Sequence, residues 1–164
     1  MTSDRSRAER IHSAQHPSAN GGTSAPGGSG GRGAASPSST EDRIPAIKLL
    51  LLPKDTNAMG TIFGGVILSH IDLASAVEAR KAGAHRYVTK AMREVVFLEP
   101  VFLGDIVSFY TSTVRVGRTS ITVKVSVEAE RWGAGRGEKV KVTEAEVVLV
   151  AVDTKGQPTP ILPP

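Results

Sequence analysis

The chain has 164 residues, of which 40% are hydrophobic and 22% charged, and its formal net charge is +4 at pH 7. This length predicts a single domain, because two cores would need a longer chain. The small positive excess comes without a dense Lys/Arg cluster and gives no reason to expect nucleic-acid binding. The chain has no Cys, which excludes a disulfide scaffold, a thiolate zinc site and a cysteine nucleophile.

The same features favour a cytoplasmic protein without a membrane partner. The lack of Cys suits a reducing compartment. The N-terminal residues MTSDR have none of the apolar character of a secretory signal. The apolar runs at residues 49–52 and 147–152 are far shorter than the roughly 20 residues of a membrane-spanning helix.

Residues 1–43 differ in composition from the rest of the chain. Gly, Ser, Ala and Pro supply 25 of these 43 residues. Such a stretch buries too little apolar surface to offset the entropy cost of ordering it, which predicts a disordered tail. We therefore predict one folded domain over residues 44–164, and we expect the tail to be dispensable for activity.

Beyond the tail, the predicted elements are a strand, a helix and four strands. Residues 44–52 predict the first strand, with Pro45 at its start and Pro53 after it. A polar loop at residues 54–61 precedes a helix that begins at Gly64 and Gly65, ends near Gly83 and has about 18 residues. Alternating and turn-bounded apolar patterns then predict strands at residues 87–98, 106–116, 121–130 and 140–152.

The order of these elements predicts the fold class. Short connections between the last four strands favour antiparallel neighbours. The helix carries little charge before Glu78, and a helix that is apolar nearly all round is expected to be buried. We predict an α+β fold in which an antiparallel five-stranded sheet wraps around one long central helix, which is the hotdog arrangement.

Two features of the predicted helix could carry chemistry. Asp72 lies in the middle of an apolar stretch, where a buried carboxylate requires a partner. It could be catalytic, or it could bond to Ser69 or Ser75 or face a solvent-filled gap. Gly64 and Gly65 open the helix and expose backbone N–H groups at the positive end of its dipole. This arrangement suits an oxyanion hole, or else only tight packing at a corner.

The spacing of Asp72 and Gly65 limits how they could act together. Seven residues of helix separate them by about 10 Å along the axis, so one side chain cannot bridge the gap. Two helices that lie antiparallel across a twofold axis would bring Asp72 of one chain to Gly65 of the other and create two equal sites. The spacing therefore suggests a homodimer.

Two groups outside the helix are weaker candidates. Asn57 in the preceding loop could orient water or a carbonyl group, although Asn in such a loop is most often a turn residue. Arg118, Thr119 and Ser120 follow a Gly at a strand junction and offer an anion one guanidinium, two hydroxyls and a free N–H. The alternative is an ordinary hairpin turn.

The histidines predict no catalytic or metal site. His70 is two residues from Asp72, and residues at that spacing on a helix point to different sides. We expect His70 to be packed or hydrogen-bonded within the fold. No His, Asp and Glu residues have the spacing of a zinc site, so we predict neither a metal nor a cofactor.

Taken together, three blocks of sequence resemble the YciA-like acyl-CoA thioester hydrolases of the hotdog superfamily. The first block is residues 52–65 (LPKDTNAMGTIFGG) followed by residues 69–74 (SHIDLA), and it is long and specific. The second is residues 114–121 (VRVGRTSI), and the third combines residues 142–145 (VTEA) and 150–153 (VAVD). The likeness covers about residues 44–162 and excludes the tail.

The resemblance implies hydrolysis of acyl-CoA thioesters to a free acid and CoA. Asp72 matches the catalytic carboxylate, as a general base on water or as a nucleophile, and we favour the base. Gly65 matches the N–H that polarises the thioester carbonyl, and Asn57 matches a residue that positions water or substrate. In the family, the Asp comes from one subunit, while the Gly and Asn come from the other.

The resemblance also implies where substrate binds and how the chain assembles. Phe63 and Gly64 belong to the matched substrate-binding segment. Arg118, Thr119 and Ser120 match contacts to the phosphates of CoA. Family members form homodimers at minimum and often hexamers, as trimers of dimers, and we expect the same of this chain.

Two other interpretations remain. A non-catalytic acyl-CoA sensor could share the fold, although a sensor would need only binding, and a buried Asp72 costs stability when it has no catalytic use. A hotdog dehydratase or hydratase would need a catalytic His paired with Asp or Glu in a different motif.

Overall fold

The computed structural model of the chain describes residues 43–132 and 137–162. Apart from Arg43, the predicted tail at residues 1–43 lies outside the described residues, as does most of the Gly-rich segment before the last strand. The described chain contains five strands, a short 3-10 turn and one long helix. We number the main elements β1 (Ile47–Leu50), α1 (Gly64–Ala79), β2 (Arg86–Phe97), β3 (Ile106–Val116), β4 (Ser120–Arg131) and β5 (Glu138–Val152).

The strands form one sheet in the order β1-β3-β4-β5-β2, and every neighbouring pair is antiparallel. α1 packs against one face of this sheet, mainly over β3 and β4. Alternate residues of a strand point to opposite faces, so β4 turns a row of fully buried apolar side chains toward the helix: Ile121, Val123, Val125, Val127 and Ala129. The predicted α+β hotdog fold is confirmed.

β1 is shorter than the strand predicted at residues 44–52. Pro45 has no N–H to donate to a neighbouring strand. At the other end, the N–H of Leu52 donates to Oδ2 of Asp55 at 2.9 Å within a 3-10 turn. The chain therefore leaves the sheet after Leu50 and turns toward the helix.

α1 buries only one of its sides in the single chain. Its outer side leaves Leu73 and Val77 exposed at 55% and 47%. The expectation of a helix buried on all sides is therefore not met by one chain, and the outer apolar side is available to another chain. The helix residues buried toward the sheet are Ile67, Ile71, Ala74, Ser75, Glu78 and Ala79.

β2 forms one edge of the sheet and pairs with β5 alone among the described strands. Register shifts interrupt this pairing after Thr89 and again between Arg93 and Val96. Glu94, inside the second bulge, has a φ of 53°, in the left-handed region that side chains rarely adopt. An edge strand of 12 residues presents a long row of unpaired backbone groups to another chain.

Glu78 is a buried carboxylate that the sheet and helix satisfy together. Its oxygens accept hydrogen bonds from Lys81 at 2.6 Å, Thr111 at 2.9 Å and Thr113 at 3.1 Å. Burial by itself raises the pKa of Glu78, but these three hydrogen bonds outweigh it, so the pKa lies below its ordinary value of 4.5. Ionised Glu78 thus ties the C-terminal part of α1 to β3.

Replacing Glu78 should lower stability in a pH-dependent way. A folded-state pKa below the unfolded one contributes stability above the unfolded pKa, and this contribution is lost as the pH falls through the folded pKa. We expect Glu78→Gln to lower the free energy of unfolding at neutral pH by about 1–3 kcal/mol, because Lys81 and two hydroxyls lose a charged acceptor. Urea denaturation across the acid range should show the variant approaching the wild type below pH 4.5.

Glu138→Gln is the matched control, because Glu138 is exposed and forms no ion pair within residues 43–132 and 137–162. This substitution should change stability by less than about 0.5 kcal/mol. A constant difference between Glu78→Gln and wild type at all pH values would contradict the assignment.

Candidate active site

Asp72 lies in the middle of α1, half-buried, on the side that faces β2. The hydroxyl of Thr89 on β2 donates a hydrogen bond to Oδ1 of Asp72. Sequence reasoning missed Thr89, although strand alternation could have placed it on the helix-facing side together with Tyr87. Only the fold brings it to the carboxylate. One oxygen of Asp72 is held, and Oδ2 is left for another partner.

The two serines near Asp72 do not hold its carboxylate. Ser75 Oγ donates to the backbone carbonyl of Asp72 at 2.7 Å, and Ser69 Oγ donates to the carbonyl of Val66 at 2.8 Å. Both hydroxyls bond back to the preceding turn, as Ser commonly does inside helices. The predicted alternative in which Ser69 or Ser75 bonds to the Asp72 carboxylate is therefore absent from the described residues.

The helix begins at Gly64 and Gly65 without a capping side chain. Phe63 is the N-cap residue, and no side chain in the described chain accepts from the first-turn N–H groups. The N–H of Val66 donates to the carbonyl of Phe63 at 2.9 Å. The N–H groups of Gly64 and Gly65 have no intrahelical partner, and they lie at the positive end of the helix dipole. A Cβ atom at position 65 would lie 2.3 Å from Cε1 of Phe63, so glycine permits the close approach of this ring.

An apolar cavity of about 340 Å³ adjoins this helix start. Gly64, Ile67, Phe97 and Leu98 contribute to its walls. Phe97 lies near the end of β2, and its ring is 3.4 Å from where a Cβ of Gly64 would be. The helix N-terminus therefore borders an apolar cavity of the kind that holds a hydrocarbon group.

Asn57 stabilises the loop that leads into the helix. Its Oδ1 accepts from the N–H groups of Met59 at 2.8 Å and Thr61 at 3.3 Å, and its Nδ2 donates to Oγ1 of Thr61 at 2.8 Å. These contacts are those of the turn residue that was one predicted alternative. One amide N–H of Asn57 remains available to a ligand.

Arg118 and Thr119 lie in the turn between β3 and β4, and Ser120 is the first residue of β4. Their backbone carbonyls accept from Ile161, Ala151 and Gly117 at 2.8, 2.9 and 2.7 Å. The Arg118 side chain is exposed. This turn lies at the end of the domain where β2 begins, far from the helix N-terminus of the same chain.

His70 is hydrogen-bonded inside the fold. Its Nδ1 is 2.8 Å from the carbonyl oxygen of Val66, and its ring lies 5.7 Å from that of Phe109. This is the packed histidine that the sequence predicted. Among residues 43–132 and 137–162, no group of three or more His, Cys, Asp or Glu could hold a metal ion. In the same ranges no helix has the length and apolar character needed to cross a membrane.

Within one chain, the predicted catalytic groups do not meet. Asp72 is beside Thr89, whereas Gly64 is beside Phe97, and β2 connects the two places. A wider cleft of about 720 Å³ lies elsewhere, between Arg43, Lys124 and Glu144, and contains none of the predicted residues. The candidate site is thus two half-sites along one edge strand.

Comparisons with known proteins identify the class to which this fold and site belong. The thioesterase superfamily matches residues 59–132. A hexameric hotdog-fold thioesterase of Campylobacter jejuni is 49% identical, with a TM-score of 0.69, over 72% of this chain and 90% of that one. A hexameric thioesterase from Yersinia pestis is 35% identical, with a TM-score of 0.69, over 75% of this chain and 98% of that one.

Sequence relatives narrow the class further. An uncharacterized acyl-CoA thioester hydrolase of Buchnera aphidicola is 42% identical over 71% of this chain and 87% of its own. The acyl-CoA thioester hydrolase YciA of Escherichia coli is 36% identical over 73% of this chain and 95% of its own. The chain therefore belongs to the YciA-like acyl-CoA thioester hydrolases of the thioesterase superfamily. The prediction that it is an enzyme of this class, an acyl-CoA thioesterase, is confirmed.

A methyl group at position 65 should disturb the helix start without unfolding the domain. Gly65→Ala forces the Phe63 ring to move, whereas the helix itself gains up to about 1 kcal/mol from Ala. We expect lower kcat/KM for acyl-CoA and an unchanged or higher Tm. Gly64→Ala is the comparison, because its methyl would meet the Phe97 ring at 3.4 Å, which is an ordinary contact. Equal losses in the two variants would contradict a specific role for the space around Gly65.

Proposed function

We propose that this enzyme hydrolyses acyl-CoA thioesters to a free acid and CoA in a site that a second copy of the chain completes. Asp72 acts as the general base and the Gly65 N–H as the oxyanion donor. One observation carries this proposal: Thr89 holds Asp72 near one end of the edge strand, and the uncapped helix start lies beside the other end.

Antiparallel pairing of two β2 strands would join these half-sites. The pairing satisfies the free edges and extends two five-stranded sheets into one. It places the Thr89 end of one strand beside the Phe97 end of the other, and hence Asp72 of one chain near Gly65 of its partner. It also covers Val88 and Val96, which are 49% and 61% exposed in the single chain. Two equal sites result.

The chemistry follows from the groups that would converge. The thioester carbonyl oxygen accepts from the Gly65 N–H, where the helix dipole favours developing negative charge. Asp72 takes a proton from water through Oδ2 while the water oxygen attacks the carbonyl carbon. The carbon–sulfur bond then breaks, and Asp72 returns the proton to the sulfur of CoA. The step consumes one water and requires no nucleophile from the protein.

A nucleophilic role for Asp72 is the alternative within the same site. The carboxylate would attack the carbonyl, the carbon–sulfur bond would break and release the CoA thiolate, and water would then hydrolyse the resulting mixed anhydride to the free acid and the carboxylate. The Thr89 contact favours the base, because a carboxylate held at one oxygen is well placed to accept a proton with the other. The free N–H of Asn57 from the partner would position the water or the carbonyl.

Substrate and assembly complete the proposal. Gly64 lines the apolar cavity beside the helix start, and Phe63 precedes it as the N-cap residue of α1. Both residues would contact the acyl part of the substrate. Arg118, Thr119 and Ser120 would contact phosphates of CoA. The two solved relatives above are hexamers, and we propose a hexamer of three dimers for this chain, located in the cytoplasm.

Removing the proposed base should abolish turnover without abolishing binding. Asp72→Asn keeps the shape and the hydrogen bond from Thr89 but cannot take a proton, so kcat should fall on the order of 10²- to 10⁴-fold. Release of free CoA from a panel of short to long acyl-CoAs measures turnover, and calorimetry with a non-hydrolysable acyl-CoA analogue measures binding. Wild-type turnover in the variant would refute the role of Asp72. Binding without turnover in the wild type would favour a sensor.

Thr89 should matter through its hydroxyl alone. Thr89→Val is isosteric but leaves Oδ1 of Asp72 without its donor, and we expect kcat to fall roughly tenfold at a similar KM. Thr89→Ser keeps the donor and should retain most of the activity. A loss of the same size in both variants would indicate a packing role instead.

Disrupting the edge strand should abolish activity while leaving both half-sites intact. In Val88→Lys, pairing of two β2 strands would bury unpaired charges, so analytical ultracentrifugation should detect dissociation through this contact. Turnover should fall with it. Val114→Lys is the control, because Val114 is 52% exposed on β3 and away from the proposed contact. A dissociated Val88→Lys enzyme with full turnover would contradict a shared site.

A further inference from the structure

Three arginines lie at the end of the domain opposite the helix start. Arg80 follows the last residue of α1, Arg86 begins β2, and Arg118 lies in the turn between β3 and β4. All three side chains are exposed, and none forms an ion pair with a carboxylate in the described ranges. Positive charge is therefore concentrated here without internal neutralisation.

The fold brings these arginines together around the end of β5. Arg86 pairs with Val152, and Ala151 donates to the carbonyl of Thr119 at 2.9 Å. The start of β2 and the turn with Arg118 therefore flank the same strand end, with backbones about 10 Å apart at the usual strand spacing. Positions far apart in sequence thus form one basic surface.

His85 is held beside this surface. Its Nε2 is 2.8 Å from the carbonyl oxygen of Ile161, and the N–H of Ile161 donates to the carbonyl of Arg118 at 2.8 Å. A carbonyl oxygen only accepts, so Nε2 carries the proton in this contact. Ile161 thereby links the loop after α1 to the turn that carries Arg118.

Arg80, Ala84, His85 and Arg86 line a cleft of about 330 Å³, which we call the arginine cleft. No carboxylate within residues 43–132 and 137–162 lines it. Guanidinium groups present forked N–H donors that match phosphate oxygens. Two guanidinium groups at one concave surface therefore suit a phosphate ligand better than a carboxylate ligand. The nearby acidic groups are already engaged: Glu78 binds Lys81, and Asp153 accepts from two N–H groups of its own turn.

We propose that the arginine cleft binds phosphate groups of the CoA part of the substrate, in the same subunit that supplies Asp72. This inference rests on the proposed function and adds Arg80 and Arg86 as substrate-binding residues beside Arg118. The cleft would hold the nucleotide end while the thioester reaches the catalytic groups.

The length of the helix supports the choice of subunit. Arg80 follows Asp72 by eight residues, which is about 12 Å along the helix axis. With the partner helix antiparallel and its Gly65 beside Asp72, the partner's arginine cleft would lie about 22 Å away in the opposite direction. The flexible arm between the thioester and the pyrophosphate of CoA spans the nearer distance readily.

The test compares a substrate that carries phosphates with one that lacks them. An acyl-CoA and the matching N-acetylcysteamine thioester present the same reacting group, but the second has no nucleotide. We expect Arg80→Ala and Arg86→Ala each to lower the ratio of kcat/KM for the first to that for the second, by roughly three- to tenfold. Arg86→Lys keeps the charge and should recover part of the ratio. Circular dichroism checks that each variant is folded.

Lys139→Ala is the matched control. Lys139 is exposed and has no ion pair in the described chain, but it lies at the opposite end of β5. This substitution should leave the ratio unchanged. Raising the salt concentration should lower the wild-type ratio, because salt screens the attraction between the arginines and the phosphates. The Arg80→Ala/Arg86→Ala double variant lacks these two charges, so its ratio should change less.

Mixed dimers test the choice of subunit. Differently tagged chains carrying Asp72→Asn and Arg86→Ala are co-expressed, and the mixed species is purified. If the cleft and the base belong to one subunit, each site that retains Asp72 lacks Arg86. KM for acyl-CoA should then be higher than in the wild type, as in the Arg86→Ala variant. A wild-type KM in the mixed dimer would overturn the subunit assignment.

The other possible results distinguish a failure of the arginine-cleft proposal from a failure of the proposed function. Unchanged ratios in both arginine variants overturn it while leaving hydrolysis by Asp72 intact. Weaker inhibition by ADP with unchanged ratios would assign the cleft to a free nucleotide and overturn the substrate role. Failure of the wild type to cleave either thioester would overturn the proposed function, and this inference with it.

Discussion

The rise of an α-helix separates its own N-terminus from a carboxylate two turns later, and this separation shapes the whole enzyme. Asp72 and Gly65 stand about 10 Å apart along one axis, yet a thioester carbonyl must meet both an oxyanion donor and a base-activated water. A single chain cannot place them together. The free edge at β2, the apolar outer side of α1 and the apolar cavity beside Phe97 are all features that a second copy of the chain would complete.

The two ends of α1 differ in chemistry, and each suits a different part of an acyl-CoA molecule. The start offers uncapped N–H groups and the approach of Phe63 to Gly65, which suit developing negative charge and an apolar acyl group. The other end gathers arginines around the last residues of β5. In the interior, the ion pair and hydrogen bonds of Glu78 tie α1 to β3, so the scaffold that spaces the two ends is itself held by a charged network.

Much of this could be predicted from the sequence, because strong periodicities carry the fold. The alternation in β4 and the long apolar helix both appear in the structure, although one side of the helix is exposed in the single chain. The family resemblance is confirmed. The ends of the elements were less predictable, because they depend on individual backbone donors. β1 is shorter than predicted because Pro45 has no N–H and because the N–H of Leu52 donates to Asp55. Thr89 was not predictable as the partner of Asp72, because a contact across 17 residues depends on how the helix crosses the sheet. The arginine cleft likewise depends on tertiary pairing around Val152.

The second bulge of β2 favours pairing with a second copy of this chain over pairing with an unrelated strand. Glu94 adopts a left-handed backbone conformation in the middle of an otherwise open edge. A foreign strand with regular pleating would lose register at this bulge, and it would meet charged side chains at Arg93 and Glu94. A second copy approaching antiparallel carries the same irregularity at the matching place. The edge strand β2 can thus pair with β2 of a second copy, while it disfavours the addition of unrelated strands that leads to aggregation.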